Sequence, residues 1–147
     1  MFNISGFGLT ISMIASNTFP VGVLLTNWPD DQDALTFPDV DIGDGEMGTN
    51  GDLIVWSKAA KIPCTISCIP DSPTDLQLAV LFQANRVGRN KTGAHDTIQM
   101  AVIQGNNNFG GFANGIIVSG PPFNGVQSTS RMKTKTYGFI FENAYAI

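Results

Sequence analysis

The sequence contains few charged residues. Only 14% of its 147 residues are Asp, Glu, Lys or Arg, whereas a soluble globular domain usually has about 25%. Hydrophobic residues make up 43%, which excludes an intrinsically disordered chain, because such chains combine low hydrophobicity with high charge. We expect a single domain over residues 1–147, since this length can form one hydrophobic core. The low charge indicates that other protein subunits cover part of the surface.

Cysteine and histidine are also scarce. Cys64 and Cys68 are the two cysteines, and in an extended strand their Cα atoms would lie about 13 Å apart, beyond the reach of a disulfide. Their spacing is not that of a Cys-x2-Cys zinc site, and His95 is the single histidine. We therefore expect two buried thiols, no disulfide, no metal site and no cofactor.

Long apolar runs are absent. No segment reaches the roughly 18 apolar residues that a membrane-spanning helix needs. The first thirty residues contain no Lys or Arg, although a secretory signal peptide begins with a positive region. The sequence therefore predicts no membrane association and synthesis in the cytoplasm.

Catalytic motifs are absent as well. His95 lies in a polar link, and no Gly-x-Ser-x-Gly elbow, phosphate-binding loop or dinucleotide fingerprint accompanies it. The segment from Asp39 is similar to the start of a calcium loop. However, Gly43, Asp44 and Asn50 stand where an EF-hand needs a ligand, a glycine and a glutamate. We therefore predict a protein that is not an enzyme.

The few charges are sorted along the chain. Residues 1–57 contain eight acidic and no basic residues, and residues 58–147 contain eight basic and four acidic residues. If the two sets stay apart in the fold, one molecule presents an acidic and a basic surface and can stack head to tail. A solvated acidic loop is the alternative. The acidic candidates for an assembly surface are Asp30, Asp31, Asp33, Asp39, Asp41, Asp44 and Glu46. The basic candidates, on one predicted strand face, are Arg131, Lys133 and Lys135.

Most of the chain has the pattern of β-strands. Apolar residues alternate with polar ones in several short runs, which is typical of strands with one buried face. The predicted strands are Leu9–Met13, Val21–Leu25, Leu53–Trp56, Ile62–Cys68, Thr97–Ile103, Gly115–Ser119 and Lys133–Asn143. Residues 26–52 predict a long surface loop or an extended hairpin, and loops of this length are usually functional. Asn50-Gly51 predicts a turn, and Asn106–Gly111 and Gly120–Gly125 predict turns or loops.

One helix is predicted at about 73–87. Ser72 can cap it, Pro73 occupies the first helical position, and Asp75 stands where a capping box places its acidic residue. Arg86 and Gly88 are favourable at a helix C-terminus. We expect this helix to pack its apolar face on a sheet.

Two segments together carry a family resemblance. Thr49-Asn-Gly-Asp-Leu-Ile-Val-Trp-Ser57 is followed by Lys58-Ala-Ala-Lys61 and a β segment, and Asp71-Ser-Pro-Thr-Asp-Leu-Gln-Leu78 then opens the helix. Over about residues 45–104 this order resembles the tail tube proteins of contractile-tailed bacteriophages. The tube protein of type VI secretion is similar in fold.

The resemblance implies a structural role in a phage tail. It implies a mainly β fold with one short helix, in which two packed antiparallel sheets form a β-sandwich or barrel. Six copies would form a ring, and rings would stack head to tail into a hollow tube surrounded by a tail sheath protein, with baseplate and tail terminator proteins at its ends. DNA would pass through the lumen without specific binding, and the protein would reside in the virion after synthesis in the host cytoplasm. The 26–52 segment would reach a neighbouring ring, and its acidic residues would lie at ring contacts or in the lumen, where they repel phosphates.

Three alternatives remain open at this point. A tail terminator or baseplate tube-initiator ring has the same sequence features as a tube protein. A carbohydrate- or receptor-binding β-sandwich is the second, because Phe109, Phe112 and Phe123 lie in predicted loops. An enzyme is the third and has the least support. Eight basic residues in a chain of pI about 4.6 do not form a nucleic-acid-binding surface.

Overall fold

Seven strands form one antiparallel sheet in a computed structural model of the chain, which describes residues 1–2, 4, 7–105 and 108–146. The elements are β1 (Thr10–Ala15), β2 (Phe19–Leu25), β3 (Leu35–Thr36), β4 (Gly43–Met47), β5 (Leu53–Ser57), β6 (Ile62–Cys68), α1 (Pro73–Asn85), β7 (Ile98–Gln104), β8 (Asn108–Ser119) and β9 (Lys135–Ala146). The order across the large sheet is β2-β1-β7-β8-β9-β6-β3, and β4 and β5 form a separate two-stranded sheet.

The core lies on one face of the large sheet, under the helix. Alternate residues of β1, β6, β7 and β9 point inward, as strand geometry requires, and α1 covers them. The buried side chains include Ile11 and Met13 of β1, Cys64 and Ile66 of β6, Leu78 and Leu81 of α1, Ile98 and Met100 of β7, and Tyr137, Phe139 and Phe141 of β9. The predicted burial of both cysteines is confirmed, and burial raises the pKa of Cys64 and Cys68 to about 12.

The large sheet curls strongly around this core. Asn27 follows β2 at one edge and Ile69 follows β6 near the other, yet the Ile69 amide donates to the Asn27 carbonyl oxygen at 3.2 Å. Similarly, the ring of Phe37, just beyond β3, contacts Phe112 of β8 at a centroid distance of 5.9 Å. In the described residues the edge strands β2 and β3 do not pair with each other, so the sheet does not close into a barrel. The predicted mainly β fold with one short helix and two antiparallel sheets is confirmed.

The helix is confirmed with its predicted cap. The Ser72 hydroxyl accepts a hydrogen bond from the Asp75 amide at 3.3 Å. The helix ends at Asn85, two residues earlier than predicted, because Arg86 adopts an extended conformation while its amide still donates to the Phe82 carbonyl oxygen at 3.0 Å. No helix in the described part of the chain is long and apolar enough to cross a membrane.

One predicted loop is a strand. The prediction of a loop over Asn106–Gly111 is wrong from residue 108 onward, where β8 begins, and Asn106 and Asn107 lie outside the described residues. A Cβ atom on Gly111 would lie only 2.3 Å from the Tyr145 ring. Glycine is therefore needed here so that β8 can pass close to a side chain of β9. The other predicted loop, Gly120–Gly125, is confirmed as lying outside the strands.

A buried carboxylate fixes the connection between α1 and β7. The Asp96 carboxylate accepts hydrogen bonds from the Asn17 amide at 2.6 Å, from the Asn85 side chain at 2.8 Å, and from the Thr18 amide and hydroxyl. Although burial raises the pKa of Asp96, the hydrogen bonds from Thr18 and Asn85 outweigh it and lower the pKa below its usual value. The neighbouring His95 is an exposed loop residue, as predicted.

Candidate assembly surface

The β4–β5 hairpin (residues 43–57) is the most exposed apolar element of the fold. Its strands pair with each other, and the predicted turn at Asn50-Gly51 is confirmed, with Gly51 in the left-handed region at φ 89°. Every residue of β5 is exposed, so neither face of this strand packs on the large sheet. The predicted 26–52 segment is therefore in part an extended hairpin, with β3 and β4 within it.

One face of the hairpin is entirely uncharged. Met47 lies opposite Leu53, and Gly45 lies opposite Val55, and residues that face each other in an antiparallel pair project on the same side. Met47, Leu53 and Val55 are 64, 65 and 68% exposed. We call these three residues the apolar face of the hairpin. An isolated two-stranded hairpin is marginally stable in water at best. Burial of apolar surface contributes about 25 cal/mol of favourable free energy per Å². This face therefore favours contact with another molecule.

The opposite face of the hairpin carries two of the predicted acidic residues. Asp44 lies opposite Trp56, and Glu46 lies opposite Ile54. Asp44 also forms an ion pair with Lys58 at 3.4 Å, in which both side chains are about half exposed. Such a surface pair contributes at most about 1 kcal/mol, so the Asp44 carboxylate remains accessible to a partner.

Two other predicted acidic residues contact residues 131–135 of the same molecule, which contain the three predicted basic residues and are called the basic segment below. The Arg131 guanidinium lies 3.3 Å from the Asp30 carboxylate. The Thr134 hydroxyl donates to the Asp31 carboxylate at 2.6 Å, and this bond lowers the pKa of Asp31. Acidic and basic candidates therefore contact each other within one chain. Head-to-tail stacking through these charges would require the two sets to lie on separate surfaces.

The predicted basic strand face does not exist as such. Arg131 and Lys133 are exposed, but they lie in the loop before β9. Lys135 is only 8% exposed, because β9 begins at this residue and its side chain lies on the same inward face as Tyr137. The prediction that Lys135 contributes to an exposed basic surface is wrong.

Lys135 instead belongs to a buried polar cluster at the start of α1. Its Nζ atom lies 3.2 Å from the Asp75 carboxylate. Asp75 also accepts hydrogen bonds from the Tyr137 hydroxyl at 3.0 Å and from the Asp71 amide at 2.9 Å. Burial, and then the neighbouring Asp75 charge, raise the pKa of Tyr137. Because its partners satisfy the Asp75 carboxylate, the cluster fixes the helix N-terminus to β9.

The remaining acidic candidates are solvent-exposed. Asp33, Asp39 and Asp41 lie in the segments that flank β3, and within the described chain none of them forms an ion pair. The described residues contain no group of three or more His, Cys, Asp or Glu that could hold a metal ion.

A groove lies between β3 and the strands β7, β8 and β9, at what we call the open end of the curled sheet. It brings together two of the three aromatic residues predicted to lie in loops. Phe109 and Phe112 line it, and Phe123 does not. The groove has a volume of about 490 Å³, and its other large lining side chains are Leu35, Phe37, Val102 and Tyr145. None of the described residues that line it is charged. Sequence reasoning missed the groove, because its walls come from three distant parts of the chain.

The fold resembles chains of contractile injection systems. A chain in the cryo-EM structure of the anti-feeding prophage baseplate matches with a TM-score of 0.60 at 11% identity, covering 100% of this chain and 97% of that one. A chain in the extended sheath–tube complex of the PVC extracellular contractile injection system matches with a TM-score of 0.61 at 10% identity, covering 99% and 92%. A chain in the anti-feeding prophage tube-terminating cap gives 0.54 at 10% identity, covering 100% and 92%.

These likenesses, at such low identity, show a shared fold. They confirm at the level of fold the expected resemblance to contractile-tail proteins. No curated protein sequence matches the chain significantly. A family profile described as "Tail fiber protein gp32" matches residues 2–145. Because this match spans nearly the whole sequence, the chain belongs to the Tail fiber protein gp32 family.

Proposed function

We propose that this protein is a structural, non-catalytic subunit of a contractile tail, and that six copies form a ring and rings stack head to tail into a hollow tube. The family description supports a place in a tail, and the fold is shared with chains from sheath–tube, cap and baseplate structures. In this proposal the tube carries DNA during ejection and contacts a sheath, a baseplate and a terminator protein. The protein is made in the host cytoplasm and resides in the virion.

The observation that carries the proposal is the apolar face of the hairpin. Met47, Leu53 and Val55 project from the body of the molecule with about two thirds of each side chain exposed. Burying one such side chain completely contributes about 1.5–3 kcal/mol, and a soluble monomer rarely leaves a large contiguous apolar patch uncovered. A neighbouring subunit that covers this face would account both for its composition and for the low charge of the chain.

The acidic residues that stay accessible suit a lumen or a ring contact. Asp33, Asp39 and Asp41 are exposed without an ion pair in the described chain, and Asp44 and Glu46 lie on the other face of the hairpin. Carboxylates on a lumen wall repel nucleic-acid phosphates, whereas basic residues would retain DNA through counterion release. Asp30 and Asp31 are less suitable, because they bind the basic segment of their own chain.

A tail terminator or a baseplate ring is the second candidate function. The TM-scores for the baseplate, cap and sheath–tube chains are 0.60, 0.54 and 0.61, so fold likeness alone does not favour the tube over an end ring. A carbohydrate-binding role has less support. Sugar recognition needs several polar groups around an aromatic surface, and among the described residues the polar side chains that line the groove are those of Gln104 and Tyr145.

Purification of the protein followed by analytical ultracentrifugation and electron microscopy tests the proposal. We expect rings, and stacked rings or filaments as the concentration rises, because covering the apolar face of the hairpin requires a second copy. Monodisperse monomers over the whole concentration range would contradict a self-assembling role.

A further inference from the structure

The groove at the open end of the sheet is an uncovered end of the hydrophobic core. Phe112 at its base is buried, whereas Phe37, Phe109 and Tyr145 at its rim are about half exposed. Val102, on its wall, belongs to the buried core cluster. The groove therefore continues the apolar interior to the surface, and an apolar side chain from outside can extend the core.

The segment before β1 (residues 1–7) has matching chemistry. Its sequence, Met-Phe-Asn-Ile-Ser-Gly-Phe, contains no charged side chain. The side chains of Phe2 and Ile4 are 97 and 95% exposed, and in an extended conformation residues two apart share one face. The segment can thus present two apolar side chains together to an uncharged groove.

The chain passes beside the groove at Phe7 and Gly8, just before β1. Gly8 packs against Gly105, which directly follows the groove residue Gln104. A Cβ atom on Gly105 would lie 1.7 Å from the Phe7 carbonyl oxygen, so the chain passes very close to this turn. The apolar segment therefore joins β1 at a point beside the apolar groove.

We propose that Phe2 and Ile4 of one copy dock in the groove of an adjacent copy in the same ring. The inference rests on the proposed ring assembly and names a contact within it. Within a single chain Phe2 and Ile4 stay exposed although the groove starts close to Gly8, so one molecule leaves these two side chains and the groove uncovered. Because the segment and the groove are different surfaces, their contact is heterologous, and heterologous contacts generate rings or open chains, not closed pairs.

Disulfide trapping tests this contact. Ile4→Cys combined with Phe109→Cys places one thiol on the segment and one in the groove, at exposed positions that tolerate a small side chain. Cys64 and Cys68 are buried with raised pKa values and stay silent under mild oxidation. Ala144→Cys, also in the groove, replaces Phe109→Cys if that variant does not fold.

We expect the double variant to give a reducible ladder of dimers, trimers and higher species on a non-reducing gel. Each single variant has one reactive thiol and can give dimers at most. Ile4→Cys with Val87→Cys, an exposed site after α1, is the matched control and should give no ladder. Species no larger than dimers, or a disulfide within one chain, would overturn the docking.

Electron microscopy of the same samples separates this inference from the proposed function. Rings without a ladder would overturn the docked segment and leave the ring subunit intact. A wild-type protein that forms no rings would overturn both.

Discussion

Lys135→Ala is expected to lower the free energy of unfolding by about 3–5 kcal/mol, because it leaves the Asp75 charge buried without its cationic partner. The two groups lie 3.2 Å apart, and the Asp75 carboxylate is almost fully excluded from water. A guanidinium chloride titration at a concentration where the protein is monomeric measures the loss. The change should also loosen the start of α1, since the Asp71 amide donates to the same carboxylate.

Lys133→Ala is the matched control for this prediction. Lys133 is two residues earlier and exposed, and surface substitutions of this kind usually change stability by less than about 0.5 kcal/mol. Lys135→Met combined with Asp75→Asn should recover part of the loss, because it removes the unpaired charge. A Lys135→Ala variant as stable as Lys133→Ala would contradict the buried ion pair.

Leu53→Asp combined with Val55→Asp is expected to abolish assembly. Both side chains lie on the apolar face of the hairpin, and losing the burial of two such residues costs about 3 kcal/mol or more. This corresponds to a rise of about 100-fold or more in the dissociation constant between subunits. The new carboxylates would also have to be desolvated in the interface. Sedimentation velocity measures the shift from assembled to monomeric protein.

Val87→Asp combined with Val126→Asp is the control for the hairpin variant. These two valines are as exposed as Val55 but lie outside the hairpin, and the variant adds the same charge. We expect it to assemble like the wild type. Equal loss of assembly in both variants, or assembly of the hairpin variant, would contradict a specific role for the apolar face.

Local sequence patterns predicted the elements that local interactions determine. The helix start could be read from Ser72, Pro73 and Asp75, because capping depends on residues within one turn. The burial of Cys64 and Cys68 followed from their alternation with polar residues in β6. The turn at Asn50-Gly51 followed from the backbone conformation that glycine adopts readily.

The parts that sequence reasoning missed depend on residues far apart in the chain. Glycine is common in turns, and the Asn/Gly-rich segment that contains Gly111 therefore predicts a loop. Gly111 nevertheless lies in β8, where the Tyr145 ring passes over it. Lysine usually lies on the surface, yet Lys135 is buried because it forms an ion pair with Asp75, sixty residues earlier. No local pattern reports such partners.

The sequence predicts where the candidate assembly surface lies along the chain, but not that its exposed face is apolar. The sequence predicts a surface loop or an extended hairpin over 26–52 and names its carboxylates, not its apolar residues, as the assembly candidates. The pairing of Met47 with Leu53 and of Gly45 with Val55 gathers the apolar residues on one face, and this register follows only from the structure. Asp30 and Asp31 likewise turned out to bind the basic segment of their own chain.

The copy number of this protein in purified particles tests most directly whether it is a repeating tube subunit. Quantitative mass spectrometry, calibrated against another structural protein of known stoichiometry, measures it in particles of different tail length. The proposed tube predicts many rings per particle and a copy number that grows with tail length. A copy number equal to one ring, unchanged by tail length, would contradict the tube and indicate an end ring.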